Sequence, residues 1–356
     1  MKIAIVISGL TIGGAERVAV DLAAEYKKRG HEIFFIVIGN LQKNQLSDKL
    51  SNCNIPCVFL SQTSTTLFQK YLMLNKLLKN FSPDIVHSHL DMRLSWLWCL
   101  LHGKKIVFTI HSQPYRVFDK KSRLMFAFLR CFKLIKIIAV SKIIEKETVE
   151  LLKLKDKTII STIYNPVEII PLEKKVNIKE NTVIVNVGRL VKLKNQDLLI
   201  KAFAMVKRNN SNIQLYIAGD GECKNDLLQC AKTCGVTEDV ILLGDISDVK
   251  SLLMKSDIFV LSSNTEALPV SIVEAMSCAL PIVATNVGGV CELVTNNGIL
   301  VDSNNVDMLA KAISELVADS DKRKHFGLNS YNNVKAFEVK KIAEEYINFY
   351  EAFTRK

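Results

Sequence analysis

Short apolar runs alternate with longer amphipathic stretches along the whole chain. Residues 3–8 form an apolar run that reads as a buried strand. Residues 15–29 carry helical spacing and are closed by Gly30. Further strands are predicted at 32–38, 85–87, 106–110 and 137–140, each followed by a polar turn. Strand alternating with helix predicts right-handed βαβ units around a parallel sheet.

A second series begins after Asn165-Pro166 and a polar stretch, 171–181, that reads as a linker. Strands are predicted at 183–187, 214–218, 240–243, 258–261 and 281–284. Helices are predicted at 196–207, 224–234, 249–255 and 271–278, with a helical region from Val306 and a last amphipathic helix over 338–355. The expected fold class is therefore α/β: two doubly wound, Rossmann-like domains facing a cleft. Their expected bounds are 1–170 and 171–337, with 338–356 packing back on the first. Ligands of such sheets bind outside the carboxyl ends of the strands.

Composition narrows the classes. The chain has 356 residues, 49% hydrophobic, enough for about two domains of ~150 residues. Residues 1–170 hold 25 Lys/Arg against 13 Asp/Glu, and 171–356 hold 22 against 23. The whole positive excess lies in the first half, which suggests an anionic partner. Nine cysteines without a CxxC pair argue against a disulfide scaffold or structural zinc, and fit small thiols in a reducing cytosol. The start MKIAIVISGL could pass for a leader, but Gly13-Gly14-Ala15-Glu16-Arg17 follows at once, so a first strand is expected instead. The richest apolar stretch, 124–140, is cut by Arg130, Lys133 and Lys136, so no membrane span is expected.

The most informative segment is Glu266-Ala267-Leu268-Pro269-Val270-Ser271-Ile272-Val273-Glu274. It follows a predicted strand and opens a helix. The amides of Val270 and Ser271 would stand at the helix start, a ready anion site. A loop carboxylate and a helix carboxylate on either side suit the hydroxyls of a sugar nucleotide. Gly13-Gly14 lie between a strand and a helix, where glycine lets amides approach a phosphate. The spacing Gly9-x3-Gly13-Gly14 is not G-x-G-x-x-G, and the second strand ends Ile38-Gly39-Asn40 without the acid that grips an NAD ribose. A dehydrogenase is thereby disfavoured.

The segment resembles the E-x7-E motif of glycosyltransferase family 4, retaining enzymes of the GT-B fold. Val187-Gly188-Arg189-Leu190 with Lys194 is similar to the family's G-R-L-x-x-x-K stretch, Gly219-Asp220-Gly221 to its G-x-G turn, and Gly13-Gly14-Ala15-Glu16 to its glycine loop. Pro281, Ala284-Thr285, Gly288-Gly289 and Glu292 match the stretch after E-x7-E. The likeness covers nearly the whole chain and is strongest over 183–300. Two departures are Ala267 and Ala279, where the family often has glycine.

The resemblance implies roles. Arg189 and Lys194 would stabilise the leaving diphosphate; losing one such cation would cost ~3 kcal/mol. Glu274 would bind ribose hydroxyls and Glu266 a donor-sugar hydroxyl, neither as covalent nucleophile. His111 would meet the donor sugar, with His87 and His89 lining the acceptor side. Asp245 and Ile246 would form the base pocket, and Leu268, Val270 and Ser271 would complete the donor site. No metal or cofactor is implied; the nucleotide diphosphate sugar is a co-substrate, and the one D-x-D, Asp319-Ser320-Asp321, reads as a solvated turn.

Residues 104–136 carry nine Lys/Arg and one acid, Asp119. On a helical wheel Lys120, Arg123, Arg130, Lys133 and Lys136 fall on one side, and Leu124, Phe128, Cys131, Phe132 and Ile135 on the other. That profile predicts a helix lying on anionic lipid. The combined expectation is a metal-independent hexosyltransferase moving sugar from a nucleotide diphosphate sugar, UDP favoured, to a lipid-linked saccharide. It would serve bacterial surface polysaccharide synthesis (O-antigen or capsule), in the cytoplasm and peripheral on the inner face of the cell membrane. Alternatives are a sugar-nucleotide epimerase or hydrolase on the same fold, or a non-catalytic nucleotide-sugar-binding subunit. A nucleic-acid partner is not expected: no recognised motif accompanies the basic balance, and aromatics are only 7%.

Overall fold

The computed structural model describes residues 1–11, 13–40, 44–62, 66–90, 93–171 and 181–355. Of the predicted linker 171–181, only Pro171 and Asn181 are among them. The chain divides into two compact units: unit 1 is Met1–Pro166 with Val339–Lys356, and unit 2 is Val167–Glu338.

Unit 1 contains seven described strands: β1 (Lys2–Ile7), β2 (Glu32–Val37), β3 (Cys57–Phe59), β4 (Ile85–His89), β5 (Ile106–Ile110), β6 (Ile135–Ala139) and β7 (Ile160–Thr162). They pair in parallel in the order β3-β2-β1-β4-β5-β6-β7. Chain order reverses between β1 and β4, which defines the switch point of a doubly wound sheet. The central strands β4 and β5 are buried throughout, as sheets covered on both faces require, although β4 carries the polar residues His87, Ser88 and His89. Helix Val339–Thr354 buries Ile342, Tyr346, Tyr350 and Phe353, a stripe at helical spacing. It lies against helix Gly14–Lys28, with Tyr350 Oη 3.1 Å from Tyr26 Oη.

Unit 2 contains β8 (Thr182–Val187), β9 (Ile213–Ala218), β10 (Val240–Gly244), β11 (Ile258–Leu261), β12 (Ile282–Thr285) and β13 (Gly298–Val301). All neighbours are parallel in the order β10-β9-β8-β11-β12-β13, with the reversal between β8 and β11. Helices Gln196–Lys207 and Val306–Ala318 pack together over a core that includes Phe203, Leu199, Ile313 and Leu316.

The basic segment departs from its prediction. The helix is Lys120–Cys131, ended by Phe132 and by Lys133 at φ +54°. Lys136 and Ile135 belong to β6, and the Lys136 ammonium lies over the Phe349 and Phe353 rings. The buried stripe is Ser122, Phe126 and Leu129. Leu124, Phe128 and Phe132, which the wheel set opposite the cations, are 61%, 51% and 66% exposed. Asp319 caps helix Ser320–Val334 by accepting from the amides of Asp321 and Lys322. None of the nine cysteines is in a disulfide. Among the described residues no helix is long and apolar enough to cross a membrane.

Candidate active site

Unit 2 gathers its candidate residues at the carboxyl ends of its strands. Gly188, Arg189 and Lys194 follow β8, Asp245 and Ile246 follow β10, and Glu266 follows β11. Lys194 and Glu266 thus leave the two strands that flank the switch point. They meet there: Lys194 Nζ donates to Glu266 Oε1 at 2.6 Å. Ser263 Oγ donates to the same oxygen at 2.6 Å. Glu266 is 8% exposed, so its charge is held by two specific donors and little water.

The loops are tied by backbone. The Asn264 amide donates to Leu193 O at 2.8 Å, and Ser262 Oγ to Lys194 O at 3.1 Å. Thr285 Oγ1, at the end of β12, donates to Ser263 O at 2.6 Å. Gly288 has φ +51°, and a Cβ there would lie 1.7 Å from Glu266 O. Only glycine lets the two backbones approach so closely. Gly289 then donates its amide to Ala267 O at 3.1 Å, a bond the alanine side chain leaves intact. Ala279 sits at φ +54°, left-handed backbone, so the second departure from family glycine carries a local cost of about 1–2 kcal/mol.

The remaining predicted residues fall as follows. Arg189 and Asp245 are exposed, Ile246, Val270, Ser271 and Glu274 are half-buried, and Leu268 is buried. Helix Val270–Ser277 begins after Pro269, so the first amides, Val270 and Ser271, have no intrahelical acceptor. Glu274 lies one turn further along. Ser263 has no place in the sequence motifs, and Asp220 enters them only as part of the G-x-G turn. The latter accepts from the Gly221 amide and from Lys224 Nζ, and these bonds hold its carboxyl below the usual range. A cavity of 480 Å³ elsewhere in unit 2 is lined by Lys192, Asn195, Gln196, Cys223 and Cys230 among others, and by none of the predicted donor residues.

In unit 1, Gly13 precedes helix Gly14–Lys28 in extended backbone. Glu16 lies against it, its Oε1 accepting from Thr11 Oγ1 at 2.8 Å. That carboxylate opposes a phosphate at this helix terminus while it stands there. His87 and His89 do not line a surface: both are wholly buried. They share a face of β4, two residues apart, with ring centroids 4.0 Å apart. His87 Nδ1 is 2.6 Å from Tyr350 Oη and Nε2 is 2.8 Å from Thr109 Oγ1, so both ring nitrogens are engaged. His89 Nδ1 is 2.8 Å from Nε2 of His111, which follows β5 and is half-buried. Burial holds all three rings neutral: it lowers His87 and His111 to about 3, and His89 well below its ordinary value. Among the described residues, no group of three or more His, Cys, Asp or Glu is arranged to hold a metal ion.

The family model described as "Glycosyltransferase Family 4" matches residues 12–169, and that described as "Glycosyl transferases group 1" matches residues 169–333. The chain belongs to glycosyltransferase family 4. It is 28% identical to the Escherichia coli UDP-Gal:alpha-D-GlcNAc-diphosphoundecaprenol alpha-1,3-galactosyltransferase, covering 95% of this chain and 94% of that one. A Campylobacter jejuni alpha-1,4-N-acetyl-D-galactosaminyltransferase, named for a sugar-diphospho-undecaprenol acceptor, is also 28% identical, over 98% and 97% of the two chains. Among solved structures, Anabaena HepE in complex with UDP-glucose matches with a TM-score of 0.83 at 22% identity, covering 99% of this chain and all of that one. The fold of this family 4 glycosyltransferase is GT-B, two parallel-sheet α/β units.

Proposed function

We propose that the protein is a retaining, metal-independent glycosyltransferase that moves a hexosyl unit from a UDP-sugar to a hydroxyl of a lipid-linked saccharide, in bacterial surface polysaccharide synthesis. The observation that carries the reading is the Lys194–Glu266 pair at the unit 2 switch point. It puts a cation and a carboxylate where ligands of doubly wound sheets bind. Unit 2 takes the donor. Arg189 and Lys194 neutralise charge developing on the diphosphate as it leaves. Glu274 and Glu266 accept from ribose and sugar hydroxyls, the amides of Val270 and Ser271 with Leu268 flank the phosphates, and Asp245 with Ile246 border the base. Relatives named for UDP-galactose and diphosphoundecaprenol support the donor and acceptor classes.

Unit 1 takes the acceptor and docks on an anionic membrane. Helices Leu67–Phe81, Leu94–His102 and Lys120–Cys131 pack side by side. Every large exposed hydrophobic side chain described in unit 1 lies between Leu67 and Phe132. Over 67–134 there are twelve Lys/Arg and three Asp. Exposed apolar groups set among cations suit insertion at a headgroup boundary.

A thermal-shift panel of nucleotide sugars tests the donor site, because binding to the folded state alone raises stability by mass action. A shift with a UDP-sugar, lost in Glu274→Ala and Arg189→Ala, is expected. No shift with any nucleotide sugar overturns the reading. Turnover that stops in excess EDTA and returns with a divalent ion overturns metal independence.

A further inference from the structure

The His89–His111 contact fixes more than a position. Two neutral imidazoles joined through Nδ1 and Nε2 share one proton in that bond, so one ring must donate and the other accept. His89 Nε2 is buried and has no hydrogen-bond partner among the described residues. If His111 Nε2–H donated, His89 would carry its proton on that orphaned nitrogen, leaving a buried N–H unpaired. If His89 Nδ1–H donates, the orphan is a bare lone pair. Orphaned buried N–H groups are the rarer and costlier case. Protonating either ring to escape the choice is opposed by burial, and at His89 by the neighbouring His87 and His111 rings as well. His87, packed on His89, cannot relieve the orphan, since both its nitrogens are taken by Tyr350 and Thr109.

We infer that His89 is a positioning residue that holds His111 in its Nδ1–H tautomer, leaving that N–H as a hydrogen-bond donor for an oxygen of the bound sugar. The His111 ring makes no other hydrogen bond among the described residues, so this donor is unspent. The bond sets ring orientation as well as tautomer. His111 then acts as a neutral donor and not as a base. The inference rests on the reading that His111 meets the donor sugar, but the tautomer stands apart from it.

Long-range proton–nitrogen correlation spectra of the full chain, labelled in its six histidines, read the tautomer directly. His111 is expected with Nδ1 protonated and Nε2 bare. His89→Asn, whose amide N–H can stand in for Nδ1–H, should keep that pattern and most of the activity. His89→Phe should give a tautomer mixture at His111, with kcat down roughly tenfold or more and donor KM nearly unchanged. Finding Nε2 protonated in the wild-type chain overturns the assignment to His89. Finding Nδ1 protonated while His111→Ala keeps full kcat leaves the tautomer standing and overturns only the sugar contact.

Discussion

Lys194 and Glu266 come from the two strands that flank the unit 2 switch point, and their side chains meet at 2.6 Å. The pair ties the loop after β8 to the loop after β11. Lys194→Met leaves a nearly buried carboxylate with Ser263 Oγ as its remaining side-chain donor among the described residues. We expect kcat/KM to fall by about 100-fold, near 3 kcal/mol, and stability by roughly 1–3 kcal/mol. Steady-state kinetics with urea unfolding separates the two. Unchanged kcat/KM with lowered stability would reduce the pair to a structural clasp.

Gly288 carries the second test. A Cβ there would overlap Glu266 O, and φ is left-handed besides. Gly288→Ala must push the Glu266 loop away. The expected result is a loss of ~2 kcal/mol or more in unfolding free energy, with loss of the UDP-sugar thermal shift. Retention of that shift at full size would show that the loop position does not matter to the donor.

Acid should weaken the fold through unit 1. His87, His89 and His111 are held neutral by burial, with folded values far below the unfolded ~6.5. Below that pH the unfolded chain binds protons that the native chain refuses, so stability falls as pH falls. Each ring contributes a slope of up to about 1.4 kcal/mol per pH unit, from near 6.5 down to the folded values. Urea midpoints measured from pH 7 to 5 should drop steadily; a flat profile contradicts neutral burial.

Membrane docking is tested with vesicles. Wild-type protein should pellet with anionic vesicles at low salt and release as salt rises. Replacing exposed Phe128 and Phe132 by Ser, or exposed Lys120, Lys121 and Arg130 by Glu, should weaken pelleting; each cation lost costs ~1 kcal/mol of attraction. None of these side chains is in the core, so stability should hold within ~0.5 kcal/mol. Equal pelleting by neutral vesicles would refute the electrostatic part.

Strands 106–110 and 258–261 and helix 196–207 were legible to the residue, because an apolar run bounded by turns or a full helical stripe leaves little choice. β3, β7 and β13 were not: three or four residues at or near a sheet edge give no periodicity to read. The wheel over 120–136 failed for another reason. It sorts residues by type, while the neighbouring helix and strand select the buried stripe, and Lys133 ends the helix midway. The Lys194–Glu266 pair lies 72 positions apart, and spacing alone says nothing of such a contact. For His87 and His89 a signal existed in their alternation along a strand, which puts both on one face. What buries that face is Tyr346 and Tyr350, brought from a helix more than 250 residues later.

That distant helix bears on the order in which the protein is made. Unit 1 is interrupted by the whole of unit 2, and the tyrosines that engage His87 leave the ribosome only after β8 to β13. A nascent chain therefore exposes part of the unit 1 core, including Tyr26 and His87, until residue 350 has emerged. Unit 2, continuous in sequence, can close first. Chaperone demand during synthesis should centre on the half of the protein that was translated earliest.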